Sequence, residues 1–369
     1  MDVLGHEAYS SSVPLLPLYG HRALRERFRA AVAQNAVPSS LLLHGPRGVG
    51  KQQLALWIAR ALLCQNADRA PCGECQSCRM AASLQHPDLH WFFPRPRPKN
   101  GDADAEGARE DMAEAVAERM ASQGIYEAPG GDEGIFISTT HAIVQTAAIS
   151  PAMGRRKVFV VGDAERMVAQ EGTEHAANAF LKLLEEPPAD TTIILTSSEP
   201  GALLPTIRSR VVSVRVPPLA ESDVRAFLAD TTVANRLDLG PPARTDELVQ
   251  LAGGAPGRLI GREGWEAALG QARRILDAAA APDRGARMRV ALTQGGSGAR
   301  GKFSDTLDAL VVLLHERARS AARGGSDHEA SSAARAVAAV EETKELASGN
   351  VNPQLLTAAL LRQLTGAAR

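Results

Sequence analysis

Between His21 and Asn35 the apolar residues Leu24, Phe28 and Val32 recur at helical spacing, which places them on one face of a helix that Pro38 and Ser39 then close off. The pattern changes at Ser40. "SLLLHG" is a continuous apolar run too short for a helix and reads as a buried strand, and Leu54, Ile58 and Leu62 resume helical spacing directly after it. "LHWFF" (Leu89 to Phe93), "KVFVVGDAERM" (Lys157 to Met167) and "TTIILTSSEP" (Thr191 to Pro200) are further strand-like runs, each followed by turn or helix chemistry. Strands that alternate with helices predict an α/β fold, a parallel sheet with helices on both faces. Pro217 and Pro218 in "VPPLAES" end the last strand. From there to Arg369 the spacing is helical, broken at "GGAPGRL" (Gly253 to Leu259) and by Gly/Ser stretches at Gln294 to Gly301 and Gly324 to Ser332 that read as loops.

One segment has neither period. Arg95 to Gly134 opens with alternating prolines, continues with acidic and small residues and ends in "PGGDEG". It holds at most one polar helix, near Glu106 to Ser122, and reads as a mobile insertion with no apolar face that the core requires. At 369 residues the chain has room for two or three domains. Its formal net charge of -1 excludes a chain-wide basic field that grips nucleic acid by phosphates, so any such role is local or indirect. The N-terminus, with Asp2 and Glu7, lacks a basic and then apolar leader, and no later apolar run approaches the ~18 residues of a membrane span. A cytoplasmic protein is expected.

"HGPRGVGK" sets Gly45, Gly48, Gly50 and Lys51 in the phosphate-binding pattern G-x-x-x-x-G-K-[ST], within the strand, loop, helix context that the motif needs. Position 52, however, is glutamine. The Ser/Thr hydroxyl of the motif is a ligand to Mg²⁺, and a neutral amide is a poor substitute. Lys51 and the N–H groups of Gly48 to Lys51 still suit a phosphate, so two readings stay open: ATP or ADP held without hydrolysis, and an empty loop. The four cysteines, Cys64, Cys72, Cys75 and Cys78, all fall in "CQNADRAPCGECQSC". Four soft ligands at this spacing suit tetrahedral Zn²⁺, and with no coordination position left open the zinc is structural. His86 and His90 flank the next strand in packing roles, and Phe180, Leu183 and Leu184 are core positions of a helix.

These motifs, with "HPDL", "NAFLKLLEEPP" (Asn178 to Pro188) and "IRSRV", resemble the bacterial DNA polymerase III clamp-loader subunits, AAA+ proteins of the gamma/tau and delta-prime kinds. The likeness covers most of Leu18 to Val216 outside the insertion and returns in "NVNPQLLTAALLRQL". It implies an α/β P-loop AAA+ core over residues 1–216, with the zinc module at 64–78 and the insertion at 95–134, an all-α lid at 217–265 and an all-α collar at 266–369. It also implies partners: gamma/tau and delta subunits in a hetero-oligomeric ring, and through that ring the sliding clamp and primed DNA.

An active member of that family carries hhhhDE after its third strand. The aligned pair here is Gly162 and Asp163, so the metal-assisting carboxylate is absent and the base is one methylene short. With Gln52, both protein contacts to Mg²⁺ are missing, which implies the delta-prime kind, a stator without turnover. The family's S-R-C motif reads Ser209, Arg210, Val211, and the resemblance sends Arg210 across a subunit boundary into a neighbour's ATP site. Arg258 lies near the sensor-2 arginine of the family but is displaced by about one residue, a rotation of roughly 100° that makes it structural. Two rivals stand beside this reading. One is a working gamma/tau-like ATPase in which Asp163 and a relayed water replace the missing groups, against which a chain ending soon after the collar also counts; the other is a free-standing zinc-dependent scaffold.

Overall fold

The computed structural model describes residues 14–97, 104–127, 133–167, 174–237, 244–294, 300–347 and 351–367. The strands are β1 (Ser40–His44), β2 (Leu89–Phe92), β3 (Arg95–Pro96), β4 (Glu133–Gly134), β5 (Lys157–Val161), β6 (Thr191–Ser197) and β7 (Val212–Arg215). Five of them form one sheet in the order β2-β5-β6-β1-β7, and every pairing is parallel. β1 lies between β6 and β7, with Leu42 opposite Leu195 on one side and Ser213 on the other. Every residue of β5 and β6 is buried, as expected of parallel strands covered on both faces. The short β3 and β4 pair antiparallel as a separate ribbon.

The helices that accompany the sheet are α1 (Arg22–Ala33), α2 (Lys51–Leu62), α3 (Gln76–Ala82), α4 (Ala105–Ala121), α5 (Ile137–Ala147), α6 (Glu174–Glu185) and α7 (Pro205–Arg208). After β7 come α8 (Glu221–Leu228), α9 (Thr231–Leu237), α10 (Thr245–Ala252), α11 (Arg262–Ala280), α12 (Arg284–Leu292), α13 (Arg300–Arg323), α14 (Asp327–Ala347) and α15 (Pro353–Ala367). α1 buries Leu24 and Phe28, and α2 buries Leu54 and Ile58 against the sheet. One apolar cluster runs from Leu24 through the sheet and on through Val224 and Leu248 to Leu259. A second, from Trp265 to Leu364, joins α11, α13, α14 and α15. The Gly/Ser stretch beginning at Gly324 is a loop only at its start: α14 opens at Asp327, where Asp327 and Glu329 favour the positive end of the helix dipole. Residues 295–299 of the other stretch lie outside the described residues. No helix among the described residues is long and apolar enough to cross a membrane.

The expectation that Arg95 to Gly134 has no core-facing side is corrected by α4, which lies where the polar helix near Glu106 to Ser122 is expected. Asp104 caps this helix by accepting from Gly107 N at 2.8 Å, and Ala108, Met112 and Ala115 are buried in the main cluster. These residues sit at i, i+4 and i+7, a narrow stripe made mostly of alanine, which a hydropathy pattern barely registers. Arg95 on β3 fastens the helix with two parallel hydrogen bonds to Asp111, at 3.0 Å each. Residues 98–103 and 128–132 lie outside the described residues.

Candidate functional site

The phosphate-binding loop joins β1 to α2, and its glycines answer to close backbone contacts. A Cβ on Gly45 would lie 2.2 Å from Val216 O. Gly48, at φ 82°, would place a Cβ 2.8 Å from Arg258 N, and Gly48 O accepts from Gly257 N at 2.9 Å, so the turn after α10 packs directly on the loop. Lys51 turns back on its own loop. Its ammonium donates to Gly45 O and Pro46 O at 3.0 Å each and to Ser198 Oγ at 2.8 Å. Burial draws its pKa down to about 8, partly offset by the negative charges of Asp163 and Glu165.

Gln52, which along the sequence reads as a loss, is engaged through both its oxygen and its nitrogen. Its Oε1 accepts from Trp91 Nε1 at 3.0 Å and from Arg119 at 3.4 Å, while its Nε2 donates to Asp163 Oδ2 at 2.9 Å. A Cβ on Gly162 would lie 2.4 Å from Gln52 Oε1, 2.5 Å from Cδ and 2.6 Å from Nε2. The two departures are therefore one interlocked feature: the amide fills the space that a side chain at 162 would need. Arg119 comes from α4, and its guanidinium carbon lies 4.9 Å from the centroid of Trp91, 3.2 Å from that of Phe93 and 3.6 Å from that of Tyr126. The corrected segment thus reaches the P-loop itself. Nothing in the spacing of α4 marks Arg119; only contacts across the fold reveal it.

Charges from the C-terminal helices close the other side. Arg47 pairs with Asp305 of α13 at 3.0 Å, Ser304 Oγ donates to Glu199 Oε1 at 2.6 Å, and buried Asp308 pairs with Lys344 of α14 at 2.7 Å. Arg258 is 7% exposed, donates to Ala252 O at 3.3 Å and lies 4.1 Å from the centroid of Trp265, so its head is held in packing contacts at the edge of the cavity. A cavity of about 460 Å³ remains between the loop, Tyr19, Tyr126, Phe227 and Trp265. Glu165 is buried next to the cavity-lining Ser198, whose N–H donates to its Oε1 at 2.9 Å; burial, then the charge of Asp163, pushes its carboxyl up to about 7.

Arg210 sits just beyond α7, half-buried, and donates to Thr206 O at 2.8 Å and to Ser209 Oγ at 3.1 Å. It also pairs with Glu185 at the end of α6. Val211, in place of the usual cysteine, is buried. The four cysteine sulfurs lie within 4.8 Å of one another, a cluster that can hold one metal ion. Cys64 and Cys75 Sγ are 3.9 Å apart and Cys72 and Cys78 Sγ 4.0 Å, and the N–H groups of Cys72, Cys75 and Cys78 each point at a sulfur of the set at 3.4 Å. The histidines stay out of it: His86 Nδ1 accepts from Asp88 N at 3.1 Å, and His90 stacks on Phe159.

A family profile described as "DNA polymerase III, delta subunit" matches residues 20–220, more than half of the chain. The chain belongs to this family. It is similar to a Pseudomonas aeruginosa DNA polymerase III subunit delta', 34% identical over 217 residues, 58% of this chain and 52% of that protein. A Bacillus subtilis subunit delta' is 25% identical over 204 residues, 55% of this chain and 50% of that protein. A Haemophilus influenzae subunit tau/gamma is 26% identical over 226 residues, 61% of this chain and 26% of that protein. The chain thus spans about half the length of the delta' relatives it matches.

Proposed function

We propose that this chain is a delta-prime subunit of the DNA polymerase III clamp loader, a P-loop stator that does not turn over ATP and lends Arg210 to the ATP site of an adjacent subunit. The interlock of Gln52 with Gly162 carries the reading. A carboxylate at 162 cannot stand beside the Gln52 amide at 2.4 to 2.6 Å, and Asp163 is committed to Gln52 Nε2. Phosphoryl transfer depends on positioned charge and metal, so a site that has built its packing around an amide has given up the chemistry. This disfavours the gamma/tau-like ATPase. Nucleotide bound at the loop would first have to draw Lys51 from its three hydrogen bonds, and the stator role does not require it.

Arg210 has the geometry of a parked finger: a fork held by Thr206 O, Ser209 Oγ and one carboxylate, Glu185, the last of which a phosphate on a neighbouring subunit can replace. In this reading the helices of residues 266–369 join the collars of gamma/tau and delta subunits, and the clamp and primed DNA are met through the assembly. The Cys64, Cys72, Cys75 and Cys78 cluster holds structural Zn²⁺. Zn–S bonds of about 2.3 Å arranged as a tetrahedron put sulfurs about 3.8 Å apart, close to the 3.9 and 4.0 Å observed.

The test is reconstitution of the loader with wild-type, Lys51→Ala and Arg210→Ala chains in parallel. Arg210→Ala should assemble yet lower DNA- and clamp-stimulated ATPase and loading, since a trans finger is worth roughly 10³ to 10⁵ in rate at its one site. Lys51→Ala should load as wild type does. A damaging Lys51→Ala beside a silent Arg210→Ala would assign the chain to the motor class.

A further inference from the structure

α1 carries four arginines, Arg22, Arg25, Arg27 and Arg29, against one acid, Glu26, and α2 carries no acid at all. Arg22, Arg25 and Arg29 are three and four residues apart, so they share a face, and that face meets α2 at Trp57. The guanidinium carbons of Arg25 and Arg29 lie 5.4 and 5.3 Å from the centroid of the half-buried Trp57 ring. Arg60, one turn further along α2, extends the patch toward the cysteine loop, where a Cβ on Gly73 would lie 3.5 Å from its Nη2.

The arginines of the patch are not held by carboxylates. Arg47, Arg95 and Arg210 each hold a carboxylate, whereas among the described residues Arg22, Arg25, Arg29 and Arg60 form no ion pair. The Nε atoms of Arg25 and Arg60 are buried with no acceptor. Arg25 is drawn below its ordinary pKa by partial burial and then by the positive charges of Arg29 and Arg22, with no acid acting in the other direction. Like charges gathered over one aromatic ring repel, and a bound polyanion relieves that repulsion.

We infer that the face formed by α1, Trp57 and Arg60 is a binding site for single-stranded nucleic acid. The planar forks of four arginines suit phosphate oxygens. The guanidinium layer on Trp57 adds a flat surface on which a base stacks, which an acidic peptide cannot exploit. Because the whole chain has a formal charge of -1, affinity for a strand must come from a local patch.

The test uses the free full-length chain and a fluorescent oligo-dT, with no nucleotide and no other subunit, so its outcome is independent of the stator reading. Binding is expected with a log K against log salt slope of about -3, from about -0.7 for each of four phosphates on a single strand. R22Q/R29Q, which changes two exposed side chains, should weaken binding at least tenfold and halve that slope. R273Q/R274Q on α11, which removes the same charge elsewhere, should change neither. Trp91 and Trp265 are buried, so quenching of tryptophan emission by the strand should vanish in W57F, whose phosphate contacts and salt slope persist. Four results would overturn the site: no binding at 50 mM salt, equal losses in both arginine pairs, quenching that survives in W57F, or equal affinity for a poly-glutamate of matched charge, which would make the face a dock for acidic protein.

Discussion

Gly162→Ala tests the interlock with a single methyl group. Gly162 does not occupy the left-handed region, so its backbone accepts alanine, and the obstacle is Gln52 alone, whose amide atoms lie 2.4 to 2.6 Å from the new Cβ. Either the backbone shifts, an overpacking cost of about 1–3 kcal/mol, or Gln52 leaves and orphans the buried Trp91 Nε1–H, which costs about 1–3 kcal/mol. The protein takes the cheaper route, so a loss of about 2 kcal/mol is expected. Gln52→Ala orphans the same indole and costs a similar amount, but it also empties the space beside residue 162. The double variant should then be no less stable than Gln52→Ala alone. That is a coupling of about 2 kcal/mol where independent sites add to within about 0.5 kcal/mol. The stiffening of the unfolded chain by the methyl group added at position 162 contributes about 0.4–1 kcal/mol in both backgrounds and cancels in the cycle. Urea unfolding of the four proteins measures it. Additive losses would refute the interlock and with it the argument that the missing carboxylate is built into the packing.

Met112→Ala should cost about 2–5 kcal/mol in the same assay because α4 is part of the core, and a loss below about 0.5 kcal/mol would return the segment to a dispensable insertion. Elemental analysis should find one zinc per chain, with Cys72→Ser lowering both metal content and thermal midpoint; metal-free protein with an unchanged midpoint would rule the site out. Glu165 gives a pH signature. Its carboxyl is held up to about 7 in the fold against an ordinary 4.5, so the native state binds the extra proton, and the stability it contributes is full below 4.5 and lost as pH rises through 7. The melting temperature of Glu165→Gln should accordingly rise relative to wild type between pH 5 and pH 7.5, and a flat difference would show that Glu165 does not titrate there.

What the sequence determined by itself was everything carried by local spacing. The strands at Ser40, Leu89, Lys157 and Thr191, the helical faces of Leu24 and Leu54, the glycines and lysine of the loop and the clustered thiols are all legible there. Each is a property of a few neighbouring residues, whose covalent geometry imposes a period of two or 3.6 whatever the rest of the chain does. The helix α4 was legible near Glu106 to Ser122, but its buried face escaped because that stripe is mostly alanine, so the face exists only once α5 is there to receive it. The role of Gln52 escaped for a related reason. Read along the chain, Gln52 and Gly162 are two separate losses, 110 positions apart. In the fold one fills the volume the other leaves open, and Trp91, Arg119 and Asp163 converge on the same amide. Arg47 found Asp305, and Arg210 found Glu185, in the same way. Steric exclusion and ion pairing act over a few ångströms of space, and the chain closes that distance between remote residues only by folding.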